Sequence, residues 1–194
     1  MTRLIFATKN ADKVREIRQI LEGSGFEVVT MTQAGIEADI VEDGTTFEEN
    51  ALIKARAVSR LSGHMAVADD SGLVIDALGG EPGIYSARYM GEDTPYEQKN
   101  AQLLERMKDV PDGQRSARFV CAVACVWPDG QEWTATAAME GEIAREAAGE
   151  NGFGYDPIFW LPEQGCTSAQ LAPEEKNAVS HRGKAMRMLK ERLS

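Results

Sequence analysis

The sequence predicts an α/β protein built on a mixed β-sheet. Two observations carry that reading. Strand-like and helix-like stretches alternate through the first half, which favours parallel pairing, and two long apolar stretches in the second half flank a tight-turn signal.

RLIFAT (3–8) reads as the first strand. A helix follows from about Ala11 to Glu22, and Gly23 suits its end. FEVVTM (26–31) is the next strand. Thr46-Phe47-Glu48-Glu49 forms a capping box that opens a helix to about Leu61. Phe47, Ala51, Val58 and Leu61 form one stripe on that helix, and Lys54 falls inside it. A lysine there either snorkels outward or aims its ammonium at a cleft. HMAVADD (64–70) is a strand that ends on two adjacent carboxylates. Thr94-Pro95-Tyr96-Glu97 is a second capping box, with proline at the first helical position, and its helix runs to about Met107. ARFVCAVACVW (117–127) and QEWTATAAME (131–140) flank Pro128-Asp129-Gly130 as a hairpin. GEIARE (141–146) reads as another strand. A last helix follows Ser180, with Met186, Leu189 and Leu193 at helical spacing.

The 194 residues are 43% apolar, enough for one sizeable core or two lobes sharing a sheet. The formal net charge of -10 argues against non-specific nucleic-acid binding, which rests on neutralising phosphates, while leaving room for a small anionic ligand at a local basic site or a metal ion. No apolar run approaches the roughly 20 residues of a membrane span, and the opening MTRLIFATKN turns polar too early for a signal peptide. Cys121, Cys125 and Cys166 show no metal-ligand spacing. Cys121 and Cys125 lie on one strand face but too far apart to bond, so reduced thiols and a cytoplasmic setting are expected.

Five stretches have chemical potential. In FATKNADK (6–13) a strand ends at Thr8, Asn10 can cap the next helix, and Lys13 sits in the first turn, where the helix dipole disfavours a cation unless an anion docks. The alternative is an ordinary turn with an exposed lysine. Lys54 is the second. In ADDSG (68–72), successive strand residues point to opposite faces, so Asp69 and Asp70 cannot both face one site if the strand persists. A carboxylate at a strand end can hold Mg²⁺ together with substrate phosphates, and Glu42-Asp43 can supply a second one. A plain turn is the competing reading. NGFGYDPIF (151–159) sets flexible glycines around Phe153 and Tyr155, which can stack on a flat base or simply fill a core. EEKNAVSHRGKA (174–185) brings Lys176, His181 and Arg182 to a helix start, either as donors or as an exposed basic turn.

Each signal is weak alone, but their ordered combination is specific. TKNADK, TFEENALIKA, ADDSGL, ALGGEPGIYSARY, GFGYDPIF and SHRGKA together resemble the inosine triphosphate pyrophosphatase family, the dITP/XTP diphosphatases that remove deaminated purine nucleotides, and most closely its bacterial branch. The resemblance covers nearly the whole chain as a single domain. It implies an elongated α/β fold with flanking helices, two lobes around a long mixed sheet and an active-site cleft between them. It also implies a homodimer, Mg²⁺, and cleavage of a nucleoside triphosphate to monophosphate and pyrophosphate. By position, Thr8, Lys9, Asn10, Ala11, Asp12 and Lys13 correspond to the phosphate-binding turn. Asp70 matches the catalytic acidic residue and a metal ligand, Glu42 matches the second metal carboxylate, and Ser71 touches substrate. Phe153, Gly154, Tyr155, Asp156, Lys176, His181 and Arg182 line the base pocket. Lys9 stands where the family often has glycine, so positive φ is not expected there.

On this reading Lys13, Lys54 and the helix-start amides neutralise part of the triphosphate. Arg182 and His181 donate to the keto oxygen that a deaminated purine carries in place of adenine's amino group. Two rivals remain: a Maf-type pyrimidine nucleotide pyrophosphatase, and a nucleotide-binding regulator without turnover. A Nudix signature is absent from the sequence.

Overall fold

The computed structural model describes residues 2–194. Seven strands form one sheet in the order β2-β1-β3-β4-β5-β6-β7. Along the chain the elements are β1 (Thr2–Phe6), α1 (Ala11–Ile20), β2 (Phe26–Thr30), α2 (Phe47–Ser62), β3 (Ala66–Ile75), α3 (Tyr96–Met107), β4 (Ser116–Val126), β5 (Glu132–Ile143), β6 (Phe159–Leu161), β7 (Cys166–Thr167), α4 (Pro173–Val179) and α5 (His181–Leu193). β1 pairs in parallel with β2 and with β3, whereas β5–β6 and β6–β7 are antiparallel. The sheet is therefore mixed, as the sequence predicts. No helix among the described residues is long and apolar enough to cross a membrane.

The chain forms two compact units. The first contains residues 1–71, 121–137 and 181–194, and the second contains 72–120 and 138–180. In the first unit, alternate residues of the strands sort into two cores. Leu4, Phe6, Val67, Cys121, Val123 and Cys125 pack with Ile17 of α1 and with Met186 and Leu189 of α5. Ile5, Ala66, Ala68, Ala122, Ala124 and Val126 pack with Ala51, Ala55 and Val58 of α2. Burial on both faces explains why β1 and β4 read as continuous apolar runs. In the second unit, Leu103 and Met107 of α3 pack against Leu73, Ile75, Phe119, Met139 and Phe159. Arg115 is buried there, and its guanidinium donates to the carbonyls of Met107, Val110, Ile143 and Ala144.

Several expectations are corrected. The strand through ADDSG does not end on the aspartates, and no turn forms there, because β3 runs on to Ile75. GEIARE contributes only the end of β5. Thr94 does not cap α3. Its hydroxyl donates to the Met90 carbonyl, and Pro95 occupies the cap position without a side-chain acceptor. Thr46 does cap α2, accepting from the Glu49 amide, but Glu49 reaches back to Thr45, one residue before the cap. Leu61 is 60% exposed, so the buried face of α2 is set by Asn50, Ala51, Ala55, Val58 and Ser59 instead. α4 had not been expected. Its seven residues are too few to show a hydrophobic period.

Candidate active site

The candidate site grows from the alternation of β3. Val67 belongs to the α1–α5 core, whereas Ala66 and Ala68 belong to the α2 core. By the same period Asp69 and Ser71 face α1 and α5, and Asp70 faces α2. Two neighbouring carboxylates therefore meet two different environments.

Asp69 has no exposed surface. Its Oδ2 accepts from Lys13 Nζ of α1 at 2.9 Å and from Ser71 Oγ at 2.7 Å, and Arg182 Nη2 of α5 lies 3.6 Å away. Arg182 Nη2 also donates to Ser71 Oγ at 3.0 Å, and Nη1 donates to Glu16 Oε2 at 2.6 Å. Burial works to raise the Asp69 pKa, but the charges of Lys13, Arg182 and Lys54 outweigh it and hold the carboxyl well below the usual range. Burial and Asp69 together push the neighbouring Cys121 thiol up to about 12, so it stays protonated.

On the opposite face Lys54 Nζ lies 2.8 Å from Glu42 Oε1 and 3.9 Å from Asp70 Oδ1, and it donates to the Asp69 carbonyl at 2.6 Å. The ammonium is thus aimed at acids rather than snorkelling into solvent. Burial pushes the Asp70 pKa up to about 6 against the pull of Lys54 and Lys13, with Glu42 and Asp69 adding to the rise. Asp70 Oδ2 is buried with no hydrogen-bond partner. One ammonium against two carboxylates leaves this face acidic, and an orphaned carboxylate oxygen beside a half-buried second carboxylate fits Mg²⁺. That ion needs only one or two protein carboxylates when waters and phosphates complete its shell. Asp43 is exposed and Glu42 is half-buried, so Glu42 fits better as the second carboxylate.

The turn before α1 is pre-organised differently from its expected form. Asn10 Oδ1 accepts from the amides of Asp12 and Lys13, and the Asn10 amide donates to Thr8 Oγ1. Two of the helix-start amides expected for an anion are thus satisfied by the cap. Lys9 pairs with Asp39 at 2.8 Å, Asp12 pairs with Arg15 at 2.7 Å, and Ala11 is exposed. Lys9 does not have positive φ. Lys13 does meet an anion in the first turn, and that anion is Asp69, a group of the protein itself.

The second unit holds another part of the predicted set. Lys176 Nζ donates to Asp156 Oδ2 at 2.7 Å, with both residues buried. The same oxygen accepts from the Phe153 amide at 3.0 Å, and the Lys176 ammonium lies 4.9 Å from the centre of the Phe153 ring. Gly152 has φ +68°, and a Cβ there would come within 2.2 Å of Asp156 Oδ2, so the loop requires glycine. Tyr155 is a core residue, not a stacking surface. It is 4% exposed, its ring meets Tyr96 edge-on with centroids 5.1 Å apart, and its hydroxyl donates to the Ser86 carbonyl. Asn100 Nδ2 donates to the Gly154 carbonyl at 3.1 Å.

Of the predicted residues, Lys13, Ser71 and Arg182 meet at Asp69, with Thr8–Asp12 in the turn that leads to Lys13 and His181 next to Arg182 at the start of α5; Lys54, Glu42 and Asp70 meet on the α2 side; and Phe153–Asp156 with Lys176 lie in the second unit. His181 and Arg182 are both buried, which excludes the exposed basic turn and shows that Arg182 already spends donors on Glu16 and Ser71. Glu16 was not anticipated. Its one sequence signal is an acid on the apolar-facing side of α1, two turns from the cap and beside Ile17.

Fold and site together define an α/β protein with a buried cation–carboxylate cluster on one face of β3 and a lysine between two carboxylates on the other. A sequence model of the Ham1 family matches residues 4–192, and the chain belongs to that family. The chain is 48% identical over 193 residues to the dITP/XTP pyrophosphatase of Geobacter sulfurreducens, covering 100% of this chain and 97% of that protein. It is also 48% identical over 196 residues to the dITP/XTP pyrophosphatase of Escherichia coli K12, with 100% and 98% covered. The solved structure of a HAM1 protein from Coxiella burnetii superposes with a TM-score of 0.90 at 40% identity, covering 100% of this chain and 98% of that one.

Proposed function

We propose that this protein hydrolyses deaminated purine nucleoside triphosphates (dITP, ITP and XTP) to the monophosphate and pyrophosphate, and so clears them from the nucleotide pool. Family membership supports this reading, as do full-length relatives that carry the name dITP/XTP pyrophosphatase. The observation that carries the chemistry is the separation of Asp69 and Asp70 onto opposite faces of β3.

Asp70 is the residue we assign to catalysis. Burial makes Asp70 more basic than an ordinary carboxylate, so an oxygen of it not engaged by an ion can take a proton from the attacking water. Glu42 and Asp70 would hold Mg²⁺, which would draw charge from the scissile phosphoanhydride when bound. Lys54, held between these two carboxylates, fixes their spacing and adds a positive charge for the triphosphate. Lys13 and Arg182, oriented by Asp69 and Ser71, supply further positive charge. Water leaves its proton with Asp70, its oxygen joins the phosphorus, and pyrophosphate departs.

Base selection is assigned to Phe153 as a stacking ring, with the buried Asp156–Lys176 pair offering an acceptor and a donor in fixed positions. A homodimer working in the cytoplasm belongs to the same proposal, to be checked by light scattering and cell fractionation.

The test is pyrophosphate release from dITP, ITP, XTP, GTP, ATP and a pyrimidine triphosphate, with and without Mg²⁺. Preferential, Mg²⁺-dependent release from the three deaminated purines is the expected result. Preference for the pyrimidine, or binding without turnover, would overturn the reading.

A further inference from the structure

Asp69 is fully buried, so no ligand can reach it in this arrangement. Yet groups from three elements converge on it: Lys13 of α1 and Ser71 of β3 bond to a single oxygen, and Arg182 of α5 lies 3.6 Å from the same oxygen. All of these partners use Oδ2, while Oδ1 has no hydrogen-bond partner. The carboxylate is thus turned so that one edge fixes the directions of two cations and a hydroxyl.

Its charge matters as much as its position. The positive charges of Lys13 and Arg182 are offset by Asp69 and Glu16 beside them. Without Asp69 the remaining three groups would carry a net positive charge, and Lys13, whose side chain keeps 15% of its surface exposed, would present it to a ligand where Coulomb forces are weakly screened. Such a cluster would bind a small polyanion tightly. Pyrophosphate, the leaving product, is such an anion.

We propose that Asp69 is a positioning residue with two effects: it aims Lys13 and Arg182 for the reaction, and its charge limits the affinity of the site for pyrophosphate so that product can leave. Both effects rest on the pyrophosphohydrolase reading above, but the affinity of the site for pyrophosphate is measured without any hydrolysis.

The experiment compares Asp69→Asn and Asp69→Glu with the wild-type protein. Calorimetry with inorganic pyrophosphate in EDTA reads affinity without metal or turnover, and steady-state kinetics on dITP with Mg²⁺ reads kcat. Asp69→Asn removes the charge and should bind pyrophosphate at least about tenfold more tightly, the scale of one like charge removed from within about 12 Å at an effective dielectric near about 20. Its kcat should nevertheless fall at least about tenfold, because Lys13 and Arg182 lose their direction. Asp69→Glu keeps the charge and displaces it, so kcat should fall while pyrophosphate affinity stays within about twofold of wild type. A brace that served stability alone would not tighten pyrophosphate binding. Unchanged or weaker pyrophosphate binding by Asp69→Asn overturns the charge role, and unchanged kcat in both variants overturns the positioning role. Loss of the fold in both would assign Asp69 to stability alone and overturn both. The affinity measurement needs no hydrolysis, so a wild-type protein inactive on dITP counts against the pyrophosphohydrolase reading alone.

Discussion

Replacing Gly152 with alanine tests how rigidly the second unit holds its buried ion pair. Two costs follow from the structure. The backbone at Gly152 has φ +68°, where an L side chain costs about 1–2 kcal/mol. The new Cβ would also stand 2.2 Å from Asp156 Oδ2, 3.0 Å from its Cγ and 3.3 Å from Lys176 Nζ, so the carboxylate must move. That carboxylate is gripped by Lys176 at 2.7 Å and by the Phe153 amide at 3.0 Å. Separating a buried pair of this kind costs about 3–5 kcal/mol. The sum is about 4–7 kcal/mol, a fall in melting temperature of at least about 8 °C for a chain of this size. Gly25→Ala is the control, since Gly25 has φ +82° and nothing within 4 Å of its would-be Cβ. It should lose only the backbone share, about 1–2 kcal/mol. Urea titrations of both variants give the difference directly. If Gly152→Ala costs no more than Gly25→Ala within about 0.5 kcal/mol, Asp156 yields freely and the locked-pair reasoning fails.

Three further outcomes are expected. Asp70→Asn should lower turnover by at least about a hundredfold while the fold persists, and it should change the pH dependence of stability. Asp70 is raised from 3.8 to about 6, so its contribution is present below pH 4 and is lost as pH rises to 6, on the order of 3 kcal/mol at most; in EDTA the variant should gain on wild type across that window, and parallel stability curves would contradict the shift. Arg115→Lys should cost about 2–4 kcal/mol in urea titrations, because an ammonium cannot satisfy the four buried carbonyls that the guanidinium reaches. Tyr155→Phe should cost about 1 kcal/mol for the lost bond to Ser86 and leave KM for dITP unchanged, whereas a raised KM would return Tyr155 to the base pocket.

The mixed sheet was legible because β1, β2 and the β4–β5 hairpin announce themselves by apolar runs and turn chemistry, which are local properties. The end of β3 was not. Asp69-Asp70-Ser71-Gly72 has the composition of a turn, and only the charges of Lys13, Arg182 and Lys54, brought from distant positions, make two aspartates tolerable inside a strand. Lys13 was legible as a cation needing an anion. That the anion is Asp69, 56 residues on, is a fact of tertiary structure. Tyr155 was left open between stacking and core filling because an aromatic beside a glycine looks alike in a loop and in a core. Ser86, which accepts its hydroxyl, is 69 residues away.

The persistence of β3 also sets limits on how this protein can change. Insertions and deletions are usually absorbed in surface loops, and the stretch IVEDGTT (40–46) lies between elements where length can vary. Inside β3 there is no such slack. Removing or adding one residue before Asp69 would exchange the faces of the two aspartates, handing the carboxylate meant for Lys13 to Lys54 and the reverse. Every residue type would still be present, and composition and charge would hardly move, yet both halves of the chemistry would be inverted at once. Drift along the lineage can therefore alter what stands at either aspartate far more easily than it can alter the count of residues leading up to them.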